Sequence, residues 1–153
     1  MAIIITHTSF DPFQAIASYQ QTISGPAKKP GATAVFIGTM RDFNQGDSVR
    51  SMRLEYYPGM TEKQLDKIVA EAKQQWQIID CHIVHRVGDI QPDDAIVVIA
   101  IWASHRGDAF DACRYVMEAL KTSAPFWKKE LLTTGESRWV QHNTDGYSPA
   151  TTK

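Results

Sequence analysis

Nine consecutive residues, Ala95 to Ala103 (AIVVIAIWA), are apolar. A run this short and uniform reads as a strand covered on both faces, because a strand with one wet face would alternate. The rest of the chain has to supply that cover. Directly after the run come Ser104, a candidate helix cap, and the cationic pair His105-Arg106. A helix is expected next, with Asp108 and Asp111 near its positive N-terminal end. Phe110, Cys113, Met117 and Leu120 form its apolar stripe, flanked by Ala109, Ala112 and Val116. Pro125 stops this helix, since the residue before a proline disfavours helical backbone. Phe126 to Leu132 is expected to be extended.

The remainder reads in order as follows. Ala2 to Thr8 is a short β-branched edge strand. Ser9 or Asp11 caps a helix that begins near Pro12 and reaches about Ser24, where Gly25-Pro26 ends it. Ala32 to Met40 is a strand in which Gly38 marks a bulge or a close approach to the backbone. Residues 41–47 form a polar turn, and Val49 to Tyr57 returns as the antiparallel partner of that strand. Met52, Leu54 and Tyr56 take its core face, and Val49, Ser51 and Arg53 the other. Thr61 caps an amphipathic helix carrying Leu65, Ile68, Val69, Ala72 and Trp76 at helical spacing. Ile79 to Val87 alternates, with His85 and His82 on opposite faces, so the two histidines cannot share a metal. Arg138 to Gln141 is a last short strand. Strands and helices mix without a regular β-α-β-α rhythm, which indicates an α+β fold.

A chain of 153 residues is most simply one domain, long enough to bury a real core, and its formal net charge of −1 excludes a global basic field for nucleic acid or membrane. Any anion site must come from local clustering of Arg, Lys and His. The two cysteines, Cys81 and Cys113, lack metal-type spacing and are expected to be reduced thiols in the cytoplasm. Cys113 lies on the helix stripe and reads as core. No secretory segment or run of ~20 apolar residues is visible.

His105 and Arg106 stand where a buried strand meets a helix N-terminus, a place that suits phosphate or carboxylate. The plainer reading is a strand-end histidine beside a solvated arginine. Lys121 lies in the last helical turn, where the dipole favours a cation in any case. In an extended Phe126-Trp127-Lys128-Lys129-Glu130, alternation puts Phe126 and Lys128 on one face and Trp127 and Lys129 on the other. A lysine held among aromatics loses solvation, which lowers its pKa and equips it as base or nucleophile. Arg41 and Arg138 are further cations at strand ends. If those ends meet, Arg41, His105, Arg106, Lys121, Lys128 and Arg138 surround one anion. There is no glycosidase-type carboxylate pair and no phosphate-cradling glycine loop.

Several stretches resemble the large catalytic subunit of molybdopterin synthase: Gly38-Thr39-Met40-Arg41, Leu54-Glu55-Tyr56-Tyr57-Pro58-Gly59-Met60, His85-Arg86-Val87-Gly88, Ser104-His105-Arg106, and Lys121 through Glu130 (KTSAPFWKKE). The match runs in order from about Phe36 to Val140. The resemblance implies an α/β hammerhead fold with an additional antiparallel β subdomain; the domain is expected to span residues 1–142, and the composition of 143–153 reads as a flexible tail. The same resemblance implies a sulfurtransferase that uses no cofactor. Sulfur would pass from the C-terminal thiocarboxylate of a small ubiquitin-like subunit to cyclic pyranopterin monophosphate, forming the molybdopterin dithiolene. Large subunits would form a homodimer within a heterotetramer. By the same resemblance Lys121 and Lys128 are catalytic. Arg41, His105 and Arg106 bind the pterin phosphate near the Thr39-Met40 backbone, and Lys129, Glu130 and Arg138 belong to the substrate-binding stretch. Two competing readings are a non-catalytic module that grips an acidic C-terminal tail, and a lysine Schiff-base enzyme using an aldehyde cofactor.

Overall fold

The computed structural model describes residues 1–25 and 28–140. The expected flexible tail at 143–153, and the end of the last expected strand at Gln141, lie outside the described residues. The elements in order are β1 (Ala2–Thr6), α1 (Pro12–Gln20), β2 (Ala32–Thr39), β3 (Phe43–Asn44), β4 (Asp47–Tyr56), α2 (Met60–Gln75), β5 (Ile78–Arg86), β6 (Gly88–Ile90), β7 (Ala95–Ala103), α3 (Arg106–Ser123), β8 (Phe126–Leu132) and β9 (Ser137–Val140).

They form two sheets. The first has the order β1-β5-β7-β2, with β1 parallel to β5 and the other pairs antiparallel. The second runs β3-β4-β8-β9, with β6 also on β4. The fold is α+β, as its mixed pattern implies. The apolar run became β7, an inner strand of the first sheet with both faces covered. Val97, Ile99 and Ile101 pack into the core shared with Leu65, Ile68 and Val69 of α2 and Val116 and Leu120 of α3. On the opposite face Trp102 meets Tyr19 of α1, ring centroids 5.5 Å apart. Each fully buried aliphatic side chain here contributes roughly 1.5–3 kcal/mol relative to exposure.

Several expectations change. The hairpin between Ala32–Met40 and Val49–Tyr57 does not form: β2 pairs with β7, and β4 pairs with β3, β6 and β8 in the other sheet. The anticipated polar turn instead contains β3, joined to β4 by Gln45 and Gly46 at φ 52° and 82°. A two-residue hairpin turn of that hand suits the strand twist and requires positive φ, which glycine adopts without a Cβ penalty. Val49 joins Met52 and Leu54 in the second core, because a register shift between Val49 and Ser51 breaks strict alternation. The expected irregularity at Gly38 is present as a register shift between Gly38 and Thr39.

Helix ends also move. Asp11 caps α1, accepting from the amides of Phe13 and Gln14, and the helix ends at Gln20 rather than Ser24. Gly59, not Thr61, is the cap of α2, and Glu62 accepts from the Gly59 amide at 2.6 Å. Thr61 is buried, and its hydroxyl donates to the Pro125 carbonyl at 3.1 Å, tying α2 to the α3–β8 break. His105 occupies the cap position of α3 in place of Ser104. Phe110 is 64% exposed, so the buried stripe of α3 runs through Ala109, Ala112, Cys113, Val116, Met117 and Leu120 instead.

Candidate active site at the seam of the two sheets

Pro125 ends α3 and the chain turns directly into β8, pairing antiparallel with β4. That reversal returns Lys128 to Lys121. One continuous helix would hold the two about 10 Å apart along its axis. Both lysines line two neighbouring cavities of about 420 Å³ each. The first is bounded by the end of β2 (Phe36 to Thr39), then Met40 and Arg41, together with Met52, Met117 and Glu130. The second is more apolar, bounded by Leu54, Leu120, Phe126, Trp127, Trp139 and Val140. His85, Ile96, Lys121 and Lys128 line both.

Burial sets the charges at this seam. It pushes the Lys121 ammonium down to about 8, helped by the Lys128 charge and opposed by Glu118. Lys128 is also lowered, first by burial and then by Arg41, while Glu130 works the other way. His85 is pushed down to about 4, chiefly by burial, with Lys121 and Lys128 adding to it. Two amines with lowered pKa and one neutral imidazole therefore face the same space.

The structure brings together Thr39, Met40, Arg41, Lys121, Lys128 and Glu130. It does not bring in His105 and Arg106. Arg41 follows the C-terminal end of β2 and His105 follows that of β7, and the two strands are antiparallel, so the cations leave opposite ends of the sheet. The sixteen helical rises from the cap His105 to Lys121 span roughly 24 Å. Six cations around one anion are therefore not assembled within a single chain. Lys129 lies on the outer face of β8, its ammonium 5.5 Å from the Trp139 ring centre. Alternation thus separates the two neighbouring lysines as expected. Arg138 is engaged by Glu130 (3.2 Å), Asp47 (2.8 Å) and the Asn44 carbonyl (3.0 Å). Glu130 is 4% exposed and also accepts from Asn44 Nδ2 at 3.1 Å.

His85 also lines both cavities, a position that its alternation along the strand does not announce. Its one sequence signal is its place in His85-Arg86-Val87-Gly88. Met52 and Met117 are likewise cavity residues with no polar signature to announce them.

The Lys121 amine gives a pH expectation. Below about pH 8 it is mostly ammonium, so the free amine rises nearly tenfold per pH unit from 6 to 7 and levels off above 8. Single-turnover rates for a reaction that uses this amine as base should follow that curve. The stability contribution has the opposite range. The folded pKa lies below the unfolded one, so the unfolded chain binds more protons between about 8 and the ordinary 10.5, and stability rises with pH across that window. A rate profile flat from pH 6 to 9 would rule out a titrating Lys121.

A two-sheet α+β protein with paired, desolvated lysines between two cavities is the class that fold and site define. The family model described as MoaE protein matches residues 5–123. A molybdopterin synthase catalytic subunit from Ralstonia nicotianae is 54% identical over 110 residues, 72% of this chain and 62% of that relative. One from Pseudomonas aeruginosa is 47% identical over 142 residues, 92% and 91% of the two chains. The structure of a molybdopterin biosynthesis MoaE protein from Burkholderia ambifaria superimposes with a TM-score of 0.73 at 50% identity, covering 90% of this chain and 87% of that one. The chain belongs to the MoaE protein family.

Proposed function

We propose that the two cavities serve the two substrates of a molybdopterin synthase, of which this chain is the catalytic subunit. It is a sulfurtransferase that moves sulfur from the C-terminal thiocarboxylate of a small ubiquitin-like subunit to cyclic pyranopterin monophosphate. The observation that carries this reading is the shared wall: Lys121 and Lys128 belong to both cavities. The Arg41 cavity suits the phosphate end of the pterin, with the Thr39-Met40 backbone beside it. The more apolar cavity, framed by Trp127 and Trp139, suits an extended peptide tail. Both substrates are anions, and a near-neutral chain supplies its positive charge where they meet.

Each transfer breaks the bond from sulfur to the acyl carbon and leaves the tail a carboxylate, with oxygen drawn from water. On the pterin side chain a carbon–sulfur bond forms as a carbon–oxygen bond there breaks and its oxygen leaves. Lys121, the amine brought near neutrality, handles proton transfer as the cyclic phosphate opens. Lys128, flanked by Glu130 and Arg41, stabilises negative charge at the acyl carbon. His105 and Arg106 join through the homodimer. Among the described residues β2 is the outer strand of its sheet. A second copy alongside it, related by a twofold axis, runs antiparallel and sets its own His105 end against this chain's Arg41 end. With one small subunit on each copy the assembly is a heterotetramer.

The first sheet with its helices corresponds to the hammerhead part of the fold, and the second sheet to the added antiparallel subdomain, within one domain over 1–142. A cytoplasmic location accords with Cys81 and Cys113, both free and buried. No helix among the described residues is long and apolar enough to cross a membrane. A small-subunit tail ending in an amine-reactive acyl group tests the tail cavity. Peptide mapping is expected to find the adduct on Lys121 or Lys128. Labelling confined to exposed lysines such as Lys67 would refute the placement.

A further inference from the structure

The seam between the two cavities contains four residues: Ile96, the two lysines and His85. The lysines have roles in the reading above, and His85 has none. Its ring is fixed on two sides. It stacks on Phe126, ring centroids 3.9 Å apart and planes 10° from parallel. Its Nδ1 lies 2.8 Å from the Arg86 carbonyl oxygen. A carbonyl only accepts, so Nδ1 carries the proton and Nε2 of the neutral ring is left as an acceptor. The residue itself is 4% exposed.

We propose that His85 is a positioning residue whose Nε2 accepts a hydrogen bond from the Lys121 ammonium and holds that amine at the junction of the two cavities. This deepens the synthase reading and rests on it for its catalytic consequence. A neutral acceptor is suited to the task. A carboxylate in its place would stabilise the ammonium strongly and keep the amine protonated, whereas a neutral imidazole orients it while raising its pKa far less. Burial and the charges of Lys121 on α3 and Lys128 on β8 keep the ring neutral, opposed only by its bond to the Arg86 backbone carbonyl. Glu118 acts on Lys121, and Glu130 and Arg41 act on Lys128.

Three measurements test this. In the wild-type protein, ¹⁵N shifts should show His85 in the Nδ1–H tautomer from pH 5.5 to 9; a protonated Nε2 in that range overturns the proposal without any variant. His85→Phe keeps the stack on Phe126 and removes the acceptor, while His85→Gln restores an acceptor near the Nε2 position. Titration of the Lys121 ¹³Cε resonance should show a pKa lowered by about half a unit or more in His85→Phe and near wild type in His85→Gln. An unchanged Lys121 titration in folded His85→Phe overturns the proposal whether or not the protein is active. Single-turnover sulfur transfer should fall about tenfold in His85→Phe with its pH limb displaced, unchanged binding of the small subunit, and partial recovery in His85→Gln. Should wild-type protein make no product while the lysine titrations move as stated, the synthase reading fails and the positioning inference stands.

Discussion

Lys121→Ala is expected to lower the single-turnover rate of dithiolene formation by about 10²–10⁴-fold, the range for loss of a general acid–base group. Binding of the small subunit should be nearly unchanged. The side chain spans the wall between the cavities, so its removal opens space and leaves both linings otherwise in place. Lys121→Arg separates proton transfer from charge. Arginine keeps the cation and does not deprotonate near neutrality, so it should rescue little. At Lys128, where the proposed work is charge stabilisation, Lys128→Arg should retain far more activity than Lys128→Ala. The competing picture of a module that only grips a tail predicts loss of binding in these variants in proportion to any loss of product. Equal rescue by arginine at both positions would contradict the division of labour.

Glu130→Ala is expected to cost stability before it costs chemistry. The carboxylate is nearly inaccessible and ties the β3–β4 hairpin to β8 and β9 through Asn44 and Arg138. Arg138 in turn holds Asp47 and the Asn44 carbonyl. Deleting the carboxylate leaves both donors without their acceptor, a loss of about 2 kcal/mol once the partial exposure of Arg138 is allowed for. For a chain of this size that lowers Tm by about 4–8 °C. Glu130→Gln keeps one acceptor and should lose about half as much. The Ala variant also removes the anion that opposes the lowering of Lys128, so the Lys128 pKa should fall further. Unchanged Tm with a raised KM for the pterin would make Glu130 a direct substrate contact, as the family resemblance alone suggests.

The parts of the fold written in local pattern were legible. The uniform apolar run became the covered strand β7, Pro125 ended α3, and alternation separated Lys128 from Lys129. Pairing was harder, because it is decided by contacts far apart in sequence. Ala32–Thr39 and Asp47–Tyr56 look like two arms of a hairpin, yet each gains more by joining a different sheet. Helical periodicity places Phe110 inside, although the buried face of α3 runs through Ala109, Ala112, Cys113 and Val116 and leaves that phenylalanine exposed. At the site, Lys121, Lys128 and Arg41 line one cavity, because the break at Pro125 turns β8 back along α3. His105 and Arg106 of the same chain stand apart from them, since the antiparallel course of β2 and β7 sends strand-end cations to opposite ends. Nothing local announced the Glu130–Arg138–Asn44 network or the seam position of His85, because both depend on how the two sheets meet.

The most direct test of the central claim is reconstitution. Purified chain, small subunit bearing a C-terminal thiocarboxylate, and cyclic pyranopterin monophosphate are combined, and the dithiolene product is quantified. Product should form with two thiocarboxylates consumed per pterin, and a small subunit ending in an ordinary carboxylate should yield none. A folded chain that binds the thiocarboxylated small subunit but forms no dithiolene would contradict the account.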